Sequence, residues 1–235
     1  MPSVVKEYTS DFFNLFYPEV CLACSQKLLK GEQLVCFKCG AEMPRTDQWK
    51  TPNNALMKRF WGRVDIQGAA AFYYFQKDGV VQHLLHQLKY NGRQEVGEFI
   101  GKELGDCFTS TGSVVKDIDL VVPVPLHWKK LKKRGYNQCA ALAHSLAEAM
   151  NVAFSETTLE RVHENVSQTT INRFDRHGNV NNIFAAADPA QLTGKHILLV
   201  DDVVTTGATA EVCLQTILSV PGTRVSFAAI ATALR

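Results

Sequence analysis

The chain has 235 residues, 46% of them apolar, a formal net charge of +2 and seven cysteines. That is enough for one well-packed domain and a small appendage, and the charge is too slight for a general nucleic-acid-binding surface, which needs a strong or concentrated basic excess. No apolar run approaches the roughly 18 residues that span a bilayer; Lys6, Glu7 and Asp11 break up any secretory segment, and the cysteines suit a reducing compartment, so the expected location is the cytoplasm with no membrane insertion.

Val4, Val5, Tyr8, Phe12, Leu15 and Phe16 recur at helical spacing, which predicts a short amphipathic helix ended by Pro18. Cys21, Cys24, Cys36 and Cys39 follow as two Cys-x2-Cys pairs. Each pair can turn two thiolates toward a tetrahedral ion, so the expectation is a structural Zn²⁺ that folds a unit too small to fold by itself. A redox dithiol is the competing reading, although such a motif typically occurs once and near a helix start. Pro44, Pro52, Asn53 and Asn54 mark an irregular linker. The expected domains are therefore 1–60 for helix, cysteine element and linker, and 61–235 for the main domain.

A strand is predicted at 68–75, then helices carrying Val80, Leu84, Leu85 and Leu88 and carrying Val96, Phe99, Ile100 and Leu104, with a turn at Asn91-Gly92 between them. Lys89 to Gly92 form a basic turn suited to lie over a cleft. His83 and His86 lack a convergent third ligand and read as ordinary helix residues. The glycines at 97 and 101 are too close together for a nucleotide P-loop, and Glu103 stands where Ser or Thr is needed, so this stretch reads as helix. The β-branched run 118–124 predicts a parallel strand covered on both faces. It opens into Lys129, Lys130, Lys132, Lys133, Arg134 and Gly135, ahead of a helix at 140–150.

Residues 163–182 are polar and aperiodic; with Gln168, Arg173 and Arg176 they suit a lid, and a plain solvent loop is the alternative. A strand at 196–200, a loop to Gly207, a helix to about Leu218 and a last strand complete the pattern. Cys107, Cys139 and Cys213 read as small core residues. Alternating strands and helices predict an α/β fold with a doubly wound, mostly parallel sheet, whose ligand sites lie at the carboxyl ends of its strands.

At one such end stand Asp201 and Asp202, followed by Thr205, Thr206, Gly207, Ala208 and Thr209 at a helix start. Free N–H groups, threonine hydroxyls and the helix dipole make this turn an anion site, and Gly207 lets the backbone approach closely. Carboxylates repel phosphate, so the aspartates must face donors: ribose hydroxyls or a cation. One ligand with both features is a ribose 5-phosphate. An ordinary turn capped by threonines is the alternative, and it leaves the carboxylate pair unexplained.

The run ILLVDDVVTTGAT (197–209) resembles the phosphoribosyl pyrophosphate (PRPP) motif of type I phosphoribosyltransferases. With VVPVPLHWKKLKKRGYNQ (121–138), the cysteine pairs, Gln168 and Arg173, the chain resembles the competence protein F (ComF/GntX) family over nearly its whole length. The resemblance implies a phosphoribosyltransferase domain carrying a small zinc element, serving DNA uptake in some members. It implies that Asp201 and Asp202 contact the ribose hydroxyls as the catalytic pair and that Thr205, Thr206, Gly207, Ala208 and Thr209 hold the 5-phosphate. Arg134-Gly135-Tyr136 is similar to an Arg-Gly-Phe pyrophosphate loop, which puts Lys133, Arg134 and Gly135 on the pyrophosphate. Mg²⁺ is expected with PRPP, because the departing pyrophosphate needs its charge neutralised. The lysines are otherwise a solvated face, or a track for single-stranded DNA with Trp128 and Tyr136 stacking on bases.

Two functions follow. The first is a Mg²⁺-dependent transferase or hydrolase acting at C1 of PRPP, in DNA uptake or nucleotide metabolism. The second is a non-catalytic accessory protein binding nucleotide or single-stranded DNA. DNA-uptake proteins and a second copy of the chain, as a homodimer, stay open as partners.

Overall fold

The structure is a computed structural model that describes residues 18–162 and 183–233. The expected N-terminal helix and the polar loop with Gln168, Arg173 and Arg176 lie outside the described residues. In chain order the elements are α1 (Phe37–Glu42), a 3-10 turn (Gln48–Lys50), α2 (Ala55–Phe60), β1 (Gly68–Tyr74), α3 (Val80–Tyr90), α4 (Glu95–Thr109), β2 (Leu120–Pro123), α5 (Trp128–Arg134), α6 (Gln138–Met150), β3 (Ala153–Phe154), β4 (Leu159–Arg161), β5 (Phe184–Ala186), α7 (Pro189–Leu192), β6 (His196–Val204), α8 (Ala208–Leu218) and β7 (Arg224–Thr232). No helix among the described residues is long and apolar enough to cross a membrane.

Five strands form a parallel sheet in the order β1-β7-β6-β2-β3, and β4 and β5 make a separate antiparallel ribbon. The central strand is apolar on both faces because each face is covered. Leu198 and Val200 pack with Leu84, Leu88, Ile100, Leu104, Leu142 and Leu146 of α3, α4 and α6. Ile197 and Leu199 pack on the other side with Leu56 and Phe60 of α2 and with Leu214 and Ile217 of α8. Full burial of each such side chain contributes roughly 1.5–3 kcal/mol, so the two layers fix the sheet from both sides.

Gly97, Gly101 and Gly105 recur every fourth residue along α4 and face α6. A Cβ at Gly101 would stand 2.5 Å from the Leu142 carbonyl oxygen, and one at Gly105 2.6 Å from the Ala149 Cβ. The glycines that superficially suggested a phosphate loop therefore permit a close helix crossing, in agreement with the helical reading.

Two local expectations change. The stretch 44–54 is no loose linker: it lies along the edge strand β1 and satisfies backbone groups that would otherwise be unpaired. Tyr74 N–H donates to Pro44 O (2.8 Å), Thr46 N–H to Phe72 O (3.1 Å) and Ala71 N–H to Gln48 Oε1 (3.0 Å). The buried Asn54 amide donates to the carbonyls of Gln48, Thr51 and Ala69. Hydrogen bonding, not periodicity, orders this segment. The other change is in β6, which runs to Val204, so Asp201 and Asp202 stand on the strand, with Asp201 paired in register to Ala229 of β7.

Candidate functional site

Strands β2 and β6 are neighbours, yet the chain leaves them for opposite faces of the sheet. From β2 it passes through α5 into α6, whose Leu142 and Leu146 belong to one core layer; from β6 it passes into α8, which belongs to the other. A crevice opens where such connections diverge, at the carboxyl ends of the strands. Here it is a cavity of about 190 Å³ lined by Asp201, Asp202 and Thr209 on one side and by Lys89, Lys130, Arg134, Arg161 and Gln138 on the others.

Asp202 is buried and held from two directions. Lys89 Nζ lies 3.0 Å from its Oδ1, and Gln138 Nε2 donates to its Oδ2 at 2.7 Å. Gln138 is itself oriented by Arg134, whose Nη1 donates to its Oε1 at 2.6 Å. The guanidinium of Arg134 also sits 5.1 Å from the centre of the Tyr90 ring, and the Tyr136 hydroxyl donates to the Leu88 carbonyl. The end of α3 is thus tied to the basic loop by a chain of polar contacts that ends on a carboxylate. Asp201 accepts the Asp202 N–H at 2.8 Å, and the Cys139 thiol lies 3.6 Å from its Oδ1. Burial, and next the charge of Asp202, push the Asp201 carboxyl up to about 7. Burial and the same two carboxylates push the Cys139 thiol well above its ordinary value, so it stays a donor.

Beyond β6 the turn runs through exposed Thr205 and Thr206 to Gly207, which adopts φ 81° and starts α8. This left-handed backbone is why glycine stands here. Glu211 N–H closes the first helical turn on Gly207 O at 2.8 Å, and Ala208 N–H turns back on Thr206 Oγ1 at 3.4 Å. Arg59 of α2 packs on Gly207 and donates to Thr205 O at 3.3 Å, bringing a cation to the turn.

The structure therefore brings Asp201, Asp202, Thr209 and Arg134 onto one crevice. Gly135 terminates α5 with φ 78°, and Lys133 lines a second cavity of about 270 Å³ beside the first. The basic run is a short helix rather than an open loop. Arg59, Arg161, the Asp202 partnership of Lys89 and the Asp201 partnership of Cys139 were not foreseen, and none carries a local sequence signal. Only the Lys89 turn was marked, by its charge next to Asn-Gly.

The four cysteines form a second centre. Their sulfurs lie within 4.8 Å of one another, with Cys24 Sγ and Cys36 Sγ 3.8 Å apart. A tetrahedron of Zn–S bonds of about 2.3 Å has edges of about 3.8 Å, so this spacing fits zinc. Burial alone would raise the Cys21 thiol, but backbone N–H groups of Cys36, Cys24 and Ala23 outweigh it and bring it down to about 7. The Cys36 N–H lies 3.3 Å from Cys21 Sγ.

The fold is of the phosphoribosyltransferase kind, and the phosphoribosyl transferase domain model matches residues 136–234. The chain is 34% identical over 139 residues to the DNA utilization protein YhgH of Salmonella typhi, covering 57% of this chain and 60% of that protein's length. It is 27% identical to the Escherichia coli protein of the same name (85% and 84% covered) and 27% identical to competence protein ComFC of Bacillus subtilis (81% and 74% covered). The chain is thus similar to proteins named for DNA utilization and competence, and over residues 136–234 it matches the phosphoribosyl transferase domain.

Proposed function

We propose that this protein binds PRPP in the crevice between β2 and β6 and catalyses transfer or cleavage at ribose C1 with loss of pyrophosphate, in the DNA-utilisation setting that its relatives' names describe. The observation that carries the reading is a single cavity lined both by the carboxylate pair with Thr209 and by the cations Lys130 and Arg134. Thr205 to Thr209 hold the 5-phosphate through N–H and hydroxyl donors, while Asp201 and Asp202 accept from the ribose hydroxyls. Arg134, Lys130 and Lys133 receive the pyrophosphate. As the C1–O bond lengthens, positive charge develops on the sugar, and the aspartates stabilise it electrostatically.

Mg²⁺ would supply charge neutralisation on the pyrophosphate. The nearby donors are two carboxylates and the Cys139 thiol, within 4.8 Å of one another. Oxygen suits this ion and sulfur does not, so PRPP oxygens and water would complete its shell. The four-cysteine centre takes Zn²⁺ as a structural ion.

A second reading, a non-catalytic accessory that handles single-stranded DNA, draws on the outer face of α5. Trp128 is half-exposed, with Lys129 Nζ 5.5 Å from its ring centre and His127 stacked beside it. Aromatic and cationic groups side by side suit bases and phosphates.

Arg134→Ala tests the first reading. It weakens PRPP binding on the order of tenfold or more and ribose 5-phosphate binding much less, since only PRPP has a pyrophosphate for Arg134. Equal losses for both ligands in calorimetry would contradict the assignment.

A further inference from the structure

We propose that Arg59 is a positioning residue for the 5-phosphate: from α2 it braces the back of the turn 205–209 and fixes a positive charge there for the incoming anion. The proposal rests on the PRPP reading of the crevice. It adds to the phosphate end of that site a residue outside both the run 197–209 and the matched domain 136–234.

Arg59 stands where it does because α2 is anchored at its start, on its inner face and just past its end. Asn54 caps the start, its Oδ1 accepting the Met57 N–H at 2.9 Å, while its amide is bound to the carbonyls of Gln48, Thr51 and Ala69. Leu56 and Phe60 are fully buried in the layer that holds Leu214 and Ile217 of α8. Beyond the last turn, Arg63 pairs with Glu211 of α8, and Gln215 Nε2 donates to Arg63 O at 3.3 Å. Helix α2 is therefore locked against the helix whose start forms the phosphate turn.

The Arg59 side chain lies on that turn. Its Cγ is 3.6 Å from where a Cβ would stand on Gly207, and its Nη2 donates to Thr205 O at 3.3 Å. A turn that aims its N–H groups at an anion turns carbonyls away from it, so a cation on Thr205 O steadies the turn without taking the ligand's place. The charge is also left over for a ligand. Glu211, in the first turn of α8, would repel an anion and is answered by Arg63. Arg59 forms no ion pair among the described residues, and its Nε is buried there without a hydrogen-bond partner. A buried donor left unpaired costs stability, and a partly desolvated cation is screened less by salt than an exposed one. A phosphate dianion on the turn supplies the missing negative charge.

Calorimetry of the full-length protein with ribose 5-phosphate, PRPP and inorganic phosphate tests this in two variants. Arg59→Met keeps a stem on Gly207 and removes the charge; Arg59→Lys restores a cation. Arg59→Met weakens ribose 5-phosphate and PRPP by the same factor, about fivefold or more, and flattens the salt dependence of ribose 5-phosphate binding, whereas Arg59→Lys returns both affinities to within about threefold of wild type. Arg59→Gln, which keeps a donor for Thr205 O without the charge, carries the same expectation as Arg59→Met and replaces it if that variant does not fold. The proposal is overturned if loss of the charge leaves ribose 5-phosphate affinity or its salt dependence unchanged, or if Arg59→Lys is no better than the neutral variants. It is also overturned if PRPP alone weakens, which would put Arg59 with the pyrophosphate. Failure of wild-type protein to bind PRPP strikes the earlier reading, and ribose 5-phosphate and inorganic phosphate still decide this one; if neither of those binds, Arg59 serves no phosphate and this proposal falls as well.

Discussion

Asp201 and Asp202 are adjacent in sequence and opposite in surroundings. Asp202 has Lys89 and Gln138 as partners, whereas Asp201, half-buried, stands beside a like charge and a thiol. The Asp201 carboxyl, ordinarily near 3.8 and here about 7, keeps its proton in the folded state where the unfolded chain has lost it. Stability therefore falls as pH rises from about 4 to about 7, and the full penalty persists above that. Asp201→Asn keeps the oxygen that accepts the Asp202 N–H and removes the charge. It raises stability at pH 8 by a few kcal/mol at most, with the gain vanishing by pH 4, as thermal melts across that range will show. A gain that is constant with pH would contradict the buried-charge account. The carboxylates and the turn were legible in the sequence because they are consecutive residues with one chemistry. The Lys89 partnership was not, because its residues are 113 positions apart and meet only through the fold.

At the scale of elements, regular pieces were legible and irregular ones were not. Helices α3, α4 and α8 and the strands of the sheet announce themselves by apolar spacing, and the alternation of Ile197, Leu198, Leu199 and Val200 between two layers is the doubly covered strand the sequence pattern implies. The stretch 44–54 has no periodicity because backbone and amide hydrogen bonds to β1 hold it. The cysteine element shares this character: Cys21, Leu22, Val35, Cys36 and Cys39 pack in the same apolar layer as α3, α4 and α6. Loss of a zinc ion held by these cysteines would therefore reach the main core. Cys39→Ser abolishes zinc binding and destabilises the whole protein by on the order of 5 kcal/mol or more, seen as one shifted unfolding transition. Two separate transitions, or unchanged zinc content, would contradict this.

Across the whole molecule, the proposed function follows from one topological fact: β2 and β6 lie side by side and send the chain to opposite faces. That opens the crevice, lines it with both acidic and basic groups, and lets α3 reach over with Lys89. The order of strands was not legible, since sequence pattern gives strands and not their neighbours; what could be read was that a parallel sheet concentrates ligand groups at one edge. The acidic wall is the centre of the account, and a paired titration of wild type and Asp202→Asn with PRPP and with inorganic phosphate tests it most directly. Each charged hydrogen bond contributes roughly 1.5–3 kcal/mol, so the substitution weakens PRPP binding on the order of tenfold to a hundredfold. Inorganic phosphate, which has no ribose, binds as well or better once the repelling charge is gone. If both ligands weaken alike, or neither changes, the carboxylates do not face a sugar and the PRPP reading of the crevice is wrong.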